Sequence, residues 1–134
     1  MKDEAGKLLE KAQRSLEVAK KNFSDGFYPE AAVRAYYAMF HSARALLLEA
    51  GIERVKHSAV ISDLGKEFVK TGKMDAKFHK MIIKAKADRE IADYDVYKEV
   101  DRELSEKRLK EAQEFSAEIK KLLGVDKTAG KPEG

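Results

Sequence analysis

The apolar residues of this chain recur at every third and fourth position and rarely at every second, a spacing that suits helices and not strands. From the amino terminus, Ala5, Leu8, Leu9, Ala12, Leu16, Ala19 and Phe23 fall on one helical face. "SDGFYPE" then supplies Gly26 to stop that helix and Pro29 for the first turn of the next. The second run, from about Pro29 to Ala50, is apolar around more than half its circumference and ends at Gly51, so it should be the most enclosed helix. A third helix, from about His57 to Lys70, turns Val60, Ile61, Leu64 and Phe68 inward and closes at "TGK". Asp75 is placed to cap a fourth, whose stripe is Phe78, Ile82 and Ala85. After the irregular "DYDVYKEVDREL" a last helix is expected from near Ser105, burying Leu109, Ala112, Phe115, Ile119 and Leu122. Residues 124–134, "GVDKTAGKPEG", read as a frayed tail. The expectation is one all-α domain over residues 1–123, an up-and-down bundle of about five helices.

A chain of 134 residues can bury a core without covalent staples. The absence of Cys removes disulfides, thiolate metal sites and Cys nucleophiles together, and a reducing cytoplasm is the simplest setting for such a chain. No apolar run approaches the roughly 20 residues that span a bilayer, and "MKDEAGKLLEKAQRSLEVAKK" alternates charge with apolar residues where a signal peptide would be uniformly apolar. No membrane association is therefore expected. The net charge of +3 is small, but its distribution is uneven. Arg54 to Arg89 carries ten Lys or Arg against four Asp or Glu, whereas Glu90 to Glu106 carries seven acidic residues against two basic ones. Two solvated helix faces explain this most simply, and an anion-binding surface is the rival reading.

Two constellations carry chemistry. On the second helix, Arg34, Tyr37, His41 and Arg44 fall on one side at about 100° per residue, opposite an apolar side of Val33, Tyr36, Phe40, Ala43 and Leu47. Two guanidiniums with a phenol and an imidazole between them can hold a phosphate; the same stripe also suits a wet helix edge or a dimer surface. On the fourth helix, with Ile82 taken as the centre of the buried stripe, Arg89 and Asp93 lie about 20° to either side of it and should both face inward. An Arg and an Asp four apart can pair and anchor the helix end; alternatively Arg89 reaches into a cleft to bind phosphate.

The succession "YPEAAVRAYYAMFHSARALLLEAGI", "KHSAVISDLGKEFVKTG" and "DREIADYD" resembles the HEPN family (higher eukaryotes and prokaryotes nucleotide-binding domain), over about residues 5 to 123. The resemblance implies a bundle of about five helices, commonly a homodimer, often acting with a minimal nucleotidyltransferase as a toxin and antitoxin pair. Many such proteins are metal-independent ribonucleases with an Arg followed, after four to six intervening residues, by a His. Arg89 matches the Arg, but the positions for the His are Tyr94, Asp95 and Val96. The segment thus lacks a side chain that titrates near neutral pH, and an unshifted Tyr94 phenol ionises near pH 10. The motif is degenerate.

Of the three histidines, His57 at the start of the third helix would have to approach Arg89 in space to serve as a base. His41 lies on the polar stripe and His79 on the outer side of the fourth helix, where structural or solvent-facing roles suit them. No two stand three or four apart, so no metal site is expected, and the absence of a Gly-rich phosphate loop gives no reason to expect a cofactor. The favoured reading is a nucleotide- or RNA-associated binding protein whose site comprises Arg34, Tyr37, His41, Arg89, Asp93 and Tyr94, with nucleotide, RNA or a nucleotidyltransferase as partner. The alternatives are a metal-independent ribonuclease using Arg89 with His57 or His41, and a purely structural dimer.

Overall fold

The computed structural model of the chain describes residues 1–125, and these form five helices with no strand among them. Helix α1 spans Asp3–Ser24, α2 Tyr28–Glu49, α3 His57–Leu64, α4 Ala76–Tyr94 and α5 Arg102–Leu123. α2 is the central element: thirteen of its 22 residues are buried, and it packs against α1, α3, α4 and α5. The sequence foretells this position, because a helix apolar nearly all round is stable only when surrounded. Gly26 and Gly51 end α1 and α2 with φ of 86° and 85°, a conformation that costs glycine little and other residues more. The Gly51 and Ile52 amides return to Leu48 and Leu47 carbonyls.

The core gathers Leu16 of α1; Tyr36, Met39 and Leu47 of α2; Val60 and Leu64 of α3; Ile82 of α4; and Phe115 and Ile119 of α5. Each large apolar side chain removed from water contributes about 1.5–3 kcal/mol. The anticipated stripes of α1, α3 and α5 lie inward, with Leu9, Leu109 and Leu122 half-buried at the edge of the core. Among the described residues no helix is long and apolar enough to cross a membrane.

Four local features differ from the sequence expectation. Helix α5 begins at Arg102, three residues early, because the Asp101 carboxylate caps it by accepting the Leu104 amide at 2.9 Å. Gly124 and Val125 belong to the closure of α5: Gly124 adopts φ 74° and the Val125 amide reaches the Lys120 carbonyl at 2.9 Å. The rest of the expected tail, 126–134, lies outside the described residues.

The third difference is that the helix begun by α3 continues as a π turn over Gly65–Val69, in which the Lys70 amide bonds the Gly65 carbonyl at 2.9 Å. His79 of α4 is seated under this turn, half-buried, with Nε2 2.8 Å from the Ile61 carbonyl, so its role is structural. A Cβ on Gly65 would come within 2.9 Å of that ring.

The fourth concerns α4, whose buried face is Phe78, Met81, Ile82, Ala85 and Asp88. Its centre lies nearer Ala85 than Ile82, which rotates Arg89 and Asp93 to the flank beside α2. The carboxylate that enters the interior is Asp88. Arg108 of α5 donates to Asp88 through Nε and to Glu111 through Nη1, the latter at 3.0 Å. A charge here is tolerable only because it is paired on arrival.

Candidate phosphate-binding site

Helices α2 and α4 run side by side so that the polar stripe of one meets the flank of the other, and Tyr37 stands at the meeting point. The Arg89 guanidinium donates to the Tyr37 hydroxyl at 3.1 Å and lies 5.6 Å from the centroid of the same ring. Its Nε is 3.1 Å from Asp93 Oδ2. That contact is an ion pair without the alignment of a hydrogen bond, since Nε is sealed from solvent and has no directional partner. Tyr94, one residue on, brings its ring to 5.8 Å from the guanidinium. Arg89 is thus gripped from three sides, with its side chain 19% exposed and Asp93 36%. Burial works against its charge, but Tyr37, Asp93 and Tyr94 together hold its pKa above the usual guanidinium value.

A second guanidinium shares the platform, with Arg34 5.0 Å from the Tyr37 centroid. Each cation–π contact contributes about 0.5–1 kcal/mol at an exposed site. Two cations held within 6 Å of one ring make the cleft between α2 and α4 favourable for an anion.

His57 joins from α3. Its ring stacks on Phe40 at 4.0 Å and 20°, and meets the Tyr37 ring edge-on at 5.9 Å. Nδ1 lies 2.6 Å from the hydroxyl of Tyr36. His57 and Arg89 thus both border the Tyr37 ring. Burial, followed by the nearby Arg89 and Lys86 charges, lowers the His57 pKa and favours neutral imidazole. His41, one turn beyond Tyr37, has its ring centroid 5.9 Å from that of Tyr37. Its Nδ1 is sealed and unpartnered, and burial with the positive charges of Lys11, Arg44 and Arg34 pushes the pKa down to about 4. It is a neutral wall of the site, with its Nδ1 turned away from solvent. Arg44 turns to the Arg54 carbonyl, to which its Nε donates at 3.0 Å.

Tyr36 is the member that sequence reasoning assigned only to the apolar side. It is fully buried, and a tyrosine placed where a phenylalanine would fill the same space is the signal that its hydroxyl has a buried partner. Among the described residues no group of three or more His, Asp or Glu is arranged to hold a metal ion.

The HEPN domain model matches residues 5–122. A Methanocaldococcus jannaschii protein named "Putative toxin MJ0142" is 39% identical over 91% of this chain and 83% of its own length. Another from the same organism, "Putative toxin MJ0605", is 38% identical over 92% of this chain and 91% of its own length. A UPF0332 protein of Archaeoglobus fulgidus is 34% identical over 93% of this chain and 99% of its own length.

Proposed function

This chain belongs to the HEPN family, and from that premise we propose that it is a toxin-like protein that binds the phosphate groups of RNA or a nucleotide between α2 and α4 without cleaving them. The observation that carries the reading is the seat of Arg89. Tyr37, Asp93 and Tyr94 fix a guanidinium that remains partly open, beside a second guanidinium on the same ring. Arg89 and Arg34 are the phosphate donors, Tyr37 orients both, and Asp93 and Tyr94, one turn on along the same helix, hold the Arg89 guanidinium in place. The Lys- and Arg-rich stretch from Arg54 to Arg89 adds a favourable field for a polyanion.

Binding without cleavage follows from what accompanies Arg89. Cleavage by the RNA's own 2′-hydroxyl needs a proton acceptor and a donor near the scissile phosphate. Tyr94, Asp95 and Val96 occupy the positions after Arg89 where a histidine would serve. In the same reading the chain acts as a homodimer beside a minimal nucleotidyltransferase, and the loop after α4 meets one of these partners. The end of α4 and that loop leave Tyr94, Val96 and Tyr97 71%, 87% and 95% exposed, side chains that a protein contact would cover.

The test uses purified protein and a labelled single-stranded RNA in buffer without divalent metal. The expected result is a retained, intact RNA whose binding weakens steeply with salt and is lost in Arg89→Ala. Cleavage by the wild type, lost in Arg89→Ala and His57→Ala, would replace this reading with the ribonuclease one.

A further inference from the structure

We infer that His57 is a fixed hydrogen-bond donor to the bound phosphate, presented through Nε2, and that Tyr36 is the positioning residue that holds it in that tautomer. This rests on the phosphate-binding reading above and names a donor and its support that the Arg89 pair alone does not supply.

Tyr36 is 0% exposed, and its hydroxyl proton must find an acceptor, since leaving it unpaired costs about 1–3 kcal/mol. Its hydrogen-bond partner among the described residues is Nδ1 of His57, at 2.6 Å. Burial keeps the phenol protonated at any physiological pH, so it is the donor and Nδ1 the acceptor. A neutral imidazole that accepts at Nδ1 carries its proton at Nε2.

The surroundings fix the ring as well as the proton. Phe40 stacks against one face at 4.0 Å, and Tyr37 meets the ring at 89°. With Nδ1 turned to the interior, Nε2 occupies the far edge of the ring. It has no hydrogen bond among the described residues, and His57 as a whole is half-buried. The Tyr37 ring in contact with His57 is the same one that carries the Arg34 and Arg89 guanidiniums. An Nε2–H there adds a directional donor without adding a third positive charge to a cleft that already holds two. It also bears on chemistry: an Nε2 that carries a proton cannot accept one from a 2′-hydroxyl, so the imidazole nearest Arg89 is set up to hold phosphate and not to act as a base.

The shared ligand chemistry is a phosphate ester, and two probes separate its sources: a short single-stranded RNA and adenosine 5′-monophosphate. Proton–nitrogen correlation spectra of the labelled imidazole rings at pH 7.5 should show His57 protonated at Nε2 and bare at Nδ1 in the wild type. Tyr36→Phe, which removes only the hydroxyl, should disturb that pattern and weaken binding severalfold. A glutamine amide nitrogen occupies nearly the position of Nε2 and an asparagine amide nitrogen that of Nδ1. His57→Gln should therefore bind within about twofold of wild type, while His57→Ala and His57→Asn lose about tenfold, as expected for one charge-assisted hydrogen bond.

A wild-type spectrum with the proton on Nδ1 would overturn the tautomer lock, whatever binds. RNA or nucleotide binding that survives His57→Ala while Arg89→Ala abolishes it would overturn the donor role and leave the phosphate-binding reading standing. A wild type that binds neither probe would remove that reading and the donor role together, the spectrum still deciding the tautomer.

Discussion

Replacing Asp88 by Ala should destabilise the protein far more than replacing Asp93 by Ala, although the two carboxylates stand five residues apart on one helix and each pairs with an arginine. The Asp88 side chain is 10% exposed and that of its partner Arg108 7%. Removing one member of such a pair strands the other charge, which costs roughly 3–5 kcal/mol. Glu111 still accepts from Arg108 Nη1 at 3.0 Å, so the lower end applies, about 3 kcal/mol. At about 2.1 cal/mol/K of unfolding entropy per residue, a domain of this size should lose about 11 °C in Tm. Asp93 is 36% exposed in an i,i+4 pair, and its removal should cost about 0.5 kcal/mol, or about 2 °C. Urea unfolding followed by circular dichroism, with thermal melts beside it, reads both. The double replacement Asp88→Leu with Arg108→Met should return to within about 1 kcal/mol of wild type, because no charge is then left buried. An Asp88→Ala variant within 1 kcal/mol of wild type, or no more destabilised than Asp93→Ala, would refute this reasoning.

Three further outcomes are expected. Gly65→Ala should destabilise by about 1–3 kcal/mol in urea unfolding, because its Cβ would meet the His79 ring at 2.9 Å and disturb the bond to the Ile61 carbonyl. For His41 the folded pKa of about 4 lies below the ordinary 6.5, so its contribution is fully present above pH 6.5 and is lost as pH falls towards 4. The full linkage is about 3 kcal/mol and solvent screening of the half-buried ring reduces it to about 1–2; the gap in unfolding free energy between wild type and His41→Gln should shift by that amount between pH 7 and pH 4. Finally, with the end of α4 and the loop after it meeting a second copy in the proposed homodimer, Tyr94→Ser with Tyr97→Ser should lower the mass seen in sedimentation, and an unchanged mass would remove that contact.

How much of this was legible in the sequence differs from element to element. The helices and the central place of α2 follow from local rules: apolar period, Gly26 and Gly51 at the stops, Pro29 and Asp75 at the starts. Arg34, Tyr37 and Arg89 were visible as polar residues on identifiable faces, and the structure brings them onto one aromatic ring. What was hidden depends on contacts between helices. Phasing α4 from Ile82 turned the wrong carboxylate inward, because the depth of Asp88 is set by Arg108, twenty residues away on α5. The π turn at Gly65 has no apolar period of its own, and the close approach of the His79 ring to Gly65 depends on a residue of α4. Tyr36 counts as a core residue by any pattern, and its link to His57 emerges only once α3 folds back across α2.

The central claim is that Arg89 holds a phosphate of a nucleic acid that the protein does not cut. The most direct measurement is the salt dependence of single-stranded RNA binding by wild type and Arg89→Ala, followed by fluorescence anisotropy without metal. Each phosphate contact contributes about 0.7 to the slope of log affinity against log salt. Arg89→Ala should therefore bind at least about tenfold more weakly at low salt, with a slope shallower by about 0.7 and the RNA intact in both samples. Equal slopes and affinities for the two proteins, or RNA consumed by the wild type alone, would contradict it.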